Sequence, residues 1–287
     1  MNRTVAALLY GEEQMMGSMK IRQPFPSQQV ENIDPFILLH HADNIIPNDI
    51  PIKYAGVGPH PHRGFSPVTF IFKGGVHHRD SRGNDSTIYA GGTQWINAGM
   101  GLIHSERPPS DIHEIGSRME LIQLWVNTPA KYKMDQPAYF PLSANEIPSL
   151  KADDGVGSIH LIAGTLGSVI GKIPTATEVN AITIDFKMGA SHYFKFPSSH
   201  NAFIYLLDGK INIDDYGIVD GFHAAMFKND GEGFGIKALA DTRALIMTGE
   251  PLNEMVVAQG PYVMNTDIEI MEAMRDYRMG KMGILIE

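Results

Sequence analysis

His60-Pro61-His62 and His104-Ser105-Glu106 are the segments of this chain whose residue types and spacing can do chemistry. On an extended strand, residues i and i+2 project from one face. The first triplet therefore presents two imidazoles together, and the second an imidazole with a carboxylate. Neutral imidazole nitrogen is a ligand for iron, copper, zinc, nickel and manganese. Three histidines and one carboxylate on one octahedral ion leave about two positions open, the pattern of a non-haem oxygenase site with one extra histidine. The chain has no cysteine, so thiolate zinc sites, disulfide scaffolds and thiol nucleophiles are excluded.

The remaining histidines read as ordinary. His77 and His78 are adjacent, face opposite sides of a strand, and cannot both bind one ion; they read as a polar strand face. His40-His41 read as supports of a loop, and His113, His160, His192 and His223 lack partners at ligand spacing. His200 stands alone. Other catalytic patterns fail. Gly164 to Lys172 does not form a phosphate-binding loop, Gly231-Glu232-Gly233-Phe234-Gly235 is not followed by a helical pattern, and no Gly-x-Ser-x-Gly elbow occurs.

The elements that must position these residues are short strands. Val68 to Phe72 is β-branched and aromatic, Gly74-Gly75 makes a turn, and the strand resumes at Val76. Arg82 to Asp85 turns again before Ser86 to Tyr89, and Gly91-Gly92 precedes Gln94 to Ile96. Twenty-nine glycines and 18 prolines suit such a sandwich or barrel. The pattern returns at Ala202 to Leu207, with Asp208-Gly209 and then Lys210 to Ile213, an internal repeat of whole domains. The repeat sets Lys195 and Pro197 opposite His60 and His62, so the second copy is expected to hold no metal. The join falls between Pro141 and Gly155. Two domains follow, residues 1–145 with the metal site and residues 146–287 without one. One helix is predicted at about 266–278, capped by Asn265 or Thr266, with Ile268, Met271, Ala273 and Met274 on its packed side.

Composition narrows the function. The chain has 287 residues and a net charge of −9, with no basic block, which disfavours direct nucleic-acid binding. No apolar stretch approaches a membrane span, and the run Val5 to Tyr10 is too short for a signal peptide. A cytoplasmic location is the expectation.

Several strings resemble the pirin family. They are Asp34-Pro35-Phe36, Pro59-His60-Pro61-His62-Arg63-Gly64-Phe65, His78-Arg79-Asp80-Ser81, Gln94-Trp95, Ile103-His104-Ser105-Glu106 and Gln123-Leu124-Trp125-Val126-Asn127. Gly249-Glu250-Pro251-Leu252, Gly260 to Asn265 and Asp276-Tyr277-Arg278 continue the likeness, which runs from about residue 20 to 282. The resemblance implies an all-β bicupin, two antiparallel cupin (jelly-roll) barrels packed face to face with few short helices. It implies metal ligands at His60, His62, His104 and Glu106. One divalent ion per chain is expected, Fe(II) first, with Zn, Mn, Ni, Co and Cu as alternatives. Many pirins carry Glu-Thr where this chain has Ser66-Pro67, a change expected to alter contacts behind the ligands.

Some pirins cleave quercetin-type flavonols with O2. The expected substrates are thus a flavonol-like molecule and O2, with Glu106 as catalytic base. Phe65, Phe70, Trp95 and Met100 are candidate pocket walls, although each taken alone reads first as barrel core. The alternative is a non-enzymatic, metal-dependent (redox-sensing) interaction module or transcriptional coregulator with a protein partner. A monomer is expected.

Overall fold

A computed structural model describes residues 1–287. The alternation of apolar and polar residues produces two sheets in each of two compact units. One unit contains residues 38–145 with 14–21 and 252–287; the other contains residues 146–251 with 1–13 and 22–37. The units change at Asn145/Glu146, and each takes in terminal segments from beyond that point.

In the unit built on residues 38–145, a seven-stranded antiparallel sheet runs Ala138–Leu142, Thr93–Asn97, Phe65–Lys73, Arg118–Asn127, Phe36–Ile45, Met19–Phe25, Glu12–Met16. A four-stranded sheet runs Val57–His62, Leu102–Arg107, Gly75–Asp80, Asp85–Tyr89. The other unit repeats the plan. Its seven strands are Val5–Tyr10, His223–Phe227, Asn201–Asp208, Thr242–Gly249, Val179–Phe186, Ser158–Ala163 and Ser149–Lys151. Its four are Ser191–Lys195, Gly233–Ala238, Lys210–Ile213 and Gly217–Asp220. Each unit is thus a two-sheet jelly roll rather than one closed barrel, and the chain is an all-β bicupin.

The repeat read from sequence is a repeat of structure. Phe65–Lys73 and Asn201–Asp208 occupy corresponding places in the large sheets, and Gly75–Asp80 and Lys210–Ile213 in the small ones. Apolar side chains differ between the copies in one decisive place. Strands Ser191–Lys195 and Gly233–Ala238 correspond to the two that carry the histidines, yet they pair Phe194 with Phe234. Both are fully buried and pack with Phe196 and Phe227 into the core. Burying aromatic side chains of that size fills space that a polar site would need.

Glycine is required where the backbone turns from the small sheet into the large one. Gly64 has φ +86°, and a Cβ there would lie 2.1 Å from the Val263 carbonyl oxygen. The Gly64 carbonyl accepts a 2.6 Å hydrogen bond from the buried Lys133 ammonium, which also donates to Asn127 and Val263. Burial pushes the Lys133 pKa down to about 8.

The C-terminal helix is Asp267–Arg278. Thr266 caps it by accepting from the Glu269 amide, and the Glu269 carboxylate accepts from the Asn265 amide just before the cap. Its packed face differs from the sequence expectation. Ile270, Ala273 and Asp276 are buried, while Ile268 and Met271 are 65% and 60% exposed. Ile270, Ala273 and Met274 pack there against Tyr262, Met264 and Met282, and Asp276 on the same face bonds Arg63 and Lys281. No helix is long and apolar enough to cross a membrane.

Candidate metal centre

The four-stranded sheet sets the register of the site. His104 lies opposite His60 on one neighbouring strand and opposite Asp80 on the other. Glu106 lies opposite His78. Side-chain alternation then places His60, His62, His78, Asp80, His104 and Glu106 on a common face.

Three imidazoles converge. Ligand nitrogens of His60, His62 and His104 lie within 4.8 Å of one another. His60 Nε2 is 3.1 Å from His62 Nε2, and the His104 ring centroid is 4.3 Å and 4.9 Å from those of His60 and His62. His62 and His104 are buried, at 2% and 0% exposure. Burial, and then the neighbouring imidazoles, holds both well below the ordinary histidine pKa. Both therefore keep a nitrogen lone pair at neutral pH.

The residues fit a metal ion. His60 Nδ1 donates to the Gly58 carbonyl at 2.8 Å, which leaves its Nε2 as a lone pair turned toward His62. His104 Nε2 is buried with no hydrogen-bond partner. Such lone pairs in a dry space are the donor set of a transition-metal centre. Nitrogen and oxygen donors without thiolate suit several divalent ions.

Glu106 stands beside this trio rather than within it. Its Oε1 accepts from Thr69 Oγ1 at 3.0 Å and from Gln94 Nε2 in a very short contact; its Oε2 accepts from Gln123 Nε2 at 3.0 Å. These three donors form one row across adjacent strands of the large sheet, where Thr69 pairs with Gln123 on one side and Gln94 on the other. The amides are themselves oriented, because Trp125 Nε1 donates to Gln123 Oε1 and the Tyr139 hydroxyl to Gln94 Oε1. A carboxylate has about four acceptor positions, so three donors leave Glu106 one for a further group.

The site opens into an apolar cavity of about 270 Å³. His60, His62 and Glu106 line it, with Met16, Met19, Met119, Leu121 and Trp125 among its walls. Of the candidate wall residues, Phe65, Phe70 and Trp95 lie in the core, each at most 1% exposed, the plainer of the two readings. They occupy the inner, fully covered positions of their strands. Met100 is likewise absent from the walls; its carbonyl accepts from Arg63 Nε at 2.6 Å. Ser66 Oγ donates to Asn97 Oδ1 at 2.9 Å.

Three histidine readings change. His40 and His41 sit in strand Phe36–Ile45, not a loop, and His40 lines the cavity, its pKa pushed down to about 4 by burial. His78 is fully buried beside His104, whereas His77 pairs with Asp85 on the opposite face. Adjacent residues of a strand do face apart, as the sequence implied; only the register reveals which of the two turns inward. Thr69, Gln94 and Gln123 are site residues that the sequence reading misses, although each is a polar residue on a covered strand of the large sheet.

Known proteins resemble this chain across its length. The pirin family model matches residues 18–126 and the pirin C-terminal cupin domain model residues 181–283. A pirin-like protein of Solanum lycopersicum is 34% identical over 269 residues, 92% of this chain and 87% of that protein. A Pseudomonas aeruginosa protein named as a candidate quercetin 2,3-dioxygenase is 34% identical over 253 residues, 88% of this chain and 87% of that one. The crystal structure of a quercetin 2,3-dioxygenase from Acinetobacter baumannii is 32% identical and superposes with a TM-score of 0.92 over 100% of both chains. With both family models matched in order on a two-unit jelly roll, the chain belongs to the pirin family.

Proposed function

We propose that this pirin-family protein is a metal-dependent dioxygenase that opens a flavonol-like ring, with His60, His62, His104 and Glu106 as the residues that hold the metal, Fe(II) first among the candidates. One observation carries the reading: three histidine nitrogens converge beside an apolar cavity that His60, His62 and Glu106 line, and Glu106 keeps one free acceptor position. A divalent ion there supplies Lewis acidity that favours the ionised form of a bound hydroxyl, and a site at which O2 chemistry can run.

The chain's own residues do the rest. The lone pairs of His60 and His104 are aimed by their partners, so the ion is received without reorganisation. Glu106 has one open acceptor position, so it would either hold the ion or, detached from it, take the proton of the substrate's enolic hydroxyl, while Gln94, Thr69 and Gln123 hold the carboxylate still. Trp125 and the methionines enclose a planar aromatic body and exclude water, and methionine walls adapt to its outline. In the overall reaction one O2 enters the substrate and one CO leaves it.

The test compares wild type with Glu106→Ala, measuring bound metal and flavonol turnover together. A loss of turnover of about a hundredfold or more agrees with a general base. Full metal content with full turnover in the variant contradicts the role given to Glu106. Full metal content in the wild type with no turnover on any flavonol favours the non-enzymatic interaction module.

A further inference from the structure

Behind His104 lies a buried chain that ends on a carboxylate. His104 Nδ1 is 3.5 Å from His78 Nδ1, at the outer limit of a hydrogen bond, and His78 Nε2 is 3.2 Å from Asp80 Oδ2. All three side chains are sealed from solvent, at 0% exposure. Asp80 is fixed by three donors: the Arg82 amide at 2.8 Å and the Asn84 amide at 3.0 Å on Oδ1, and Asn84 Nδ2 at 2.7 Å on Oδ2. Tyr139 stacks on the His78 ring, with centroids 4.0 Å apart and planes 9° from parallel.

With His78 neutral, the proton positions in such a chain follow from elimination. A carboxylate only accepts, so His78 Nε2 carries the proton that faces Asp80. Neutral imidazole has one N–H, so His78 Nδ1 is then an acceptor. The nitrogen facing it, His104 Nδ1, must donate. His104 Nε2, buried and without a hydrogen-bond partner, is left with its lone pair.

We propose that His78 and Asp80 are positioning residues that lock His104 into the Nδ1–H tautomer and so present its Nε2 to the metal. The inference rests on the metal site proposed above and extends it. His60 obtains the same lock from a single carbonyl, Gly58. His104 obtains it through a second imidazole with a carboxylate behind it. Partners of this kind set ring orientation and ligand basicity, and removing them commonly lowers metal affinity by about tenfold to a hundredfold.

Asp80→Asn tests the idea with little change in volume. The two backbone amides at Oδ1 favour the amide oxygen there, which puts the NH2 group where Oδ2 stood. Asn84 can turn its own amide over to accept from it. The new NH2 donates toward His78 Nε2, so the His78 proton moves to Nδ1. His104 must then carry its proton on Nε2, and the ligand lone pair is lost.

The experiment is long-range 1H–15N NMR of the metal-free protein with Zn(II) titration of wild type and variant. We expect His104 protonated at Nδ1 and His78 at Nε2 in the wild type, and both reversed in Asp80→Asn, with Zn(II) affinity lowered about tenfold to a hundredfold. Wild-type His104 protonated at Nε2 overturns the proposal, as does a folded Asp80→Asn variant that binds Zn(II) like the wild type. Should the variant fail to fold, the wild-type tautomers decide alone. Neither readout involves turnover. A protein with the expected tautomers and tight zinc binding that leaves flavonols untouched overturns the dioxygenase reading and supports this one.

Discussion

Glu106 owes its place to Thr69, Gln94 and Gln123, a row of polar side chains across three adjacent strands. Each of the three donates to it, so removing one leaves an acceptor without a partner in a covered site. Gln123→Leu is expected to lower turnover at least tenfold while metal content stays near one per chain; unchanged turnover would show that the carboxylate needs no such support. Trp125 offers a second check. It lines the cavity and packs on Phe65 at 4.3 Å between ring centroids, whereas the other tryptophan, Trp95, lies in the core. A flavonol entering the cavity should quench Trp125 fluorescence, and Trp125→Phe should abolish the ligand-dependent part of the signal. Quenching that survives in the variant would place the ligand elsewhere.

The strands explain how much of this was legible in advance. His60 with His62, and His104 with Glu106, are related by the two-residue period of a single strand, which sequence displays. The Thr69 row and the His78–His104 contact depend on register between strands, which no single-strand pattern encodes. The same limit moved the pocket walls from Phe65, Phe70 and Trp95 to Trp125 and the methionines, since apolar residues on either face look alike in sequence. At the turn between the two sheets, Gly64→Ala should cost about 3 kcal/mol, because a Cβ would meet the Val263 carbonyl at a positive φ. Urea unfolding measures it; an unchanged midpoint would contradict the geometry. On the helix, Lys281 and then Arg63 hold Asp276 down to about 2 against an ordinary value of 3.8. A carboxyl lowered by folding stabilises above its unfolded pKa and loses that contribution as pH falls through its folded one. Asp276→Asn should therefore be less stable than wild type by about 2 kcal/mol at neutral pH, the gap closing as pH falls from about 4 to 2. Equal stability of the two at pH 7 would contradict this.

The molecule as a whole uses one jelly-roll plan twice and gives the candidate ligand histidines to one copy. The internal repeat was readable because turns and strands recur in order, and the sequence offset set Lys195 and Pro197 against His60 and His62. The structure adds that Phe194 and Phe234 fill the corresponding strands. One divalent ion per chain is the expected stoichiometry. Elemental analysis should find it lost in His60→Ala and kept in His200→Ala; metal retained in the first or lost in the second would contradict the assignment. The decisive experiment loads the protein anaerobically with Fe(II), adds quercetin and then air, and follows the yellow absorbance beside His62→Ala. Rapid loss of the absorbance in the wild type and none in the variant is the expected result. Equal rates in the two proteins, or no loss in a wild type holding one iron per chain, would contradict a dioxygenase built on these histidines.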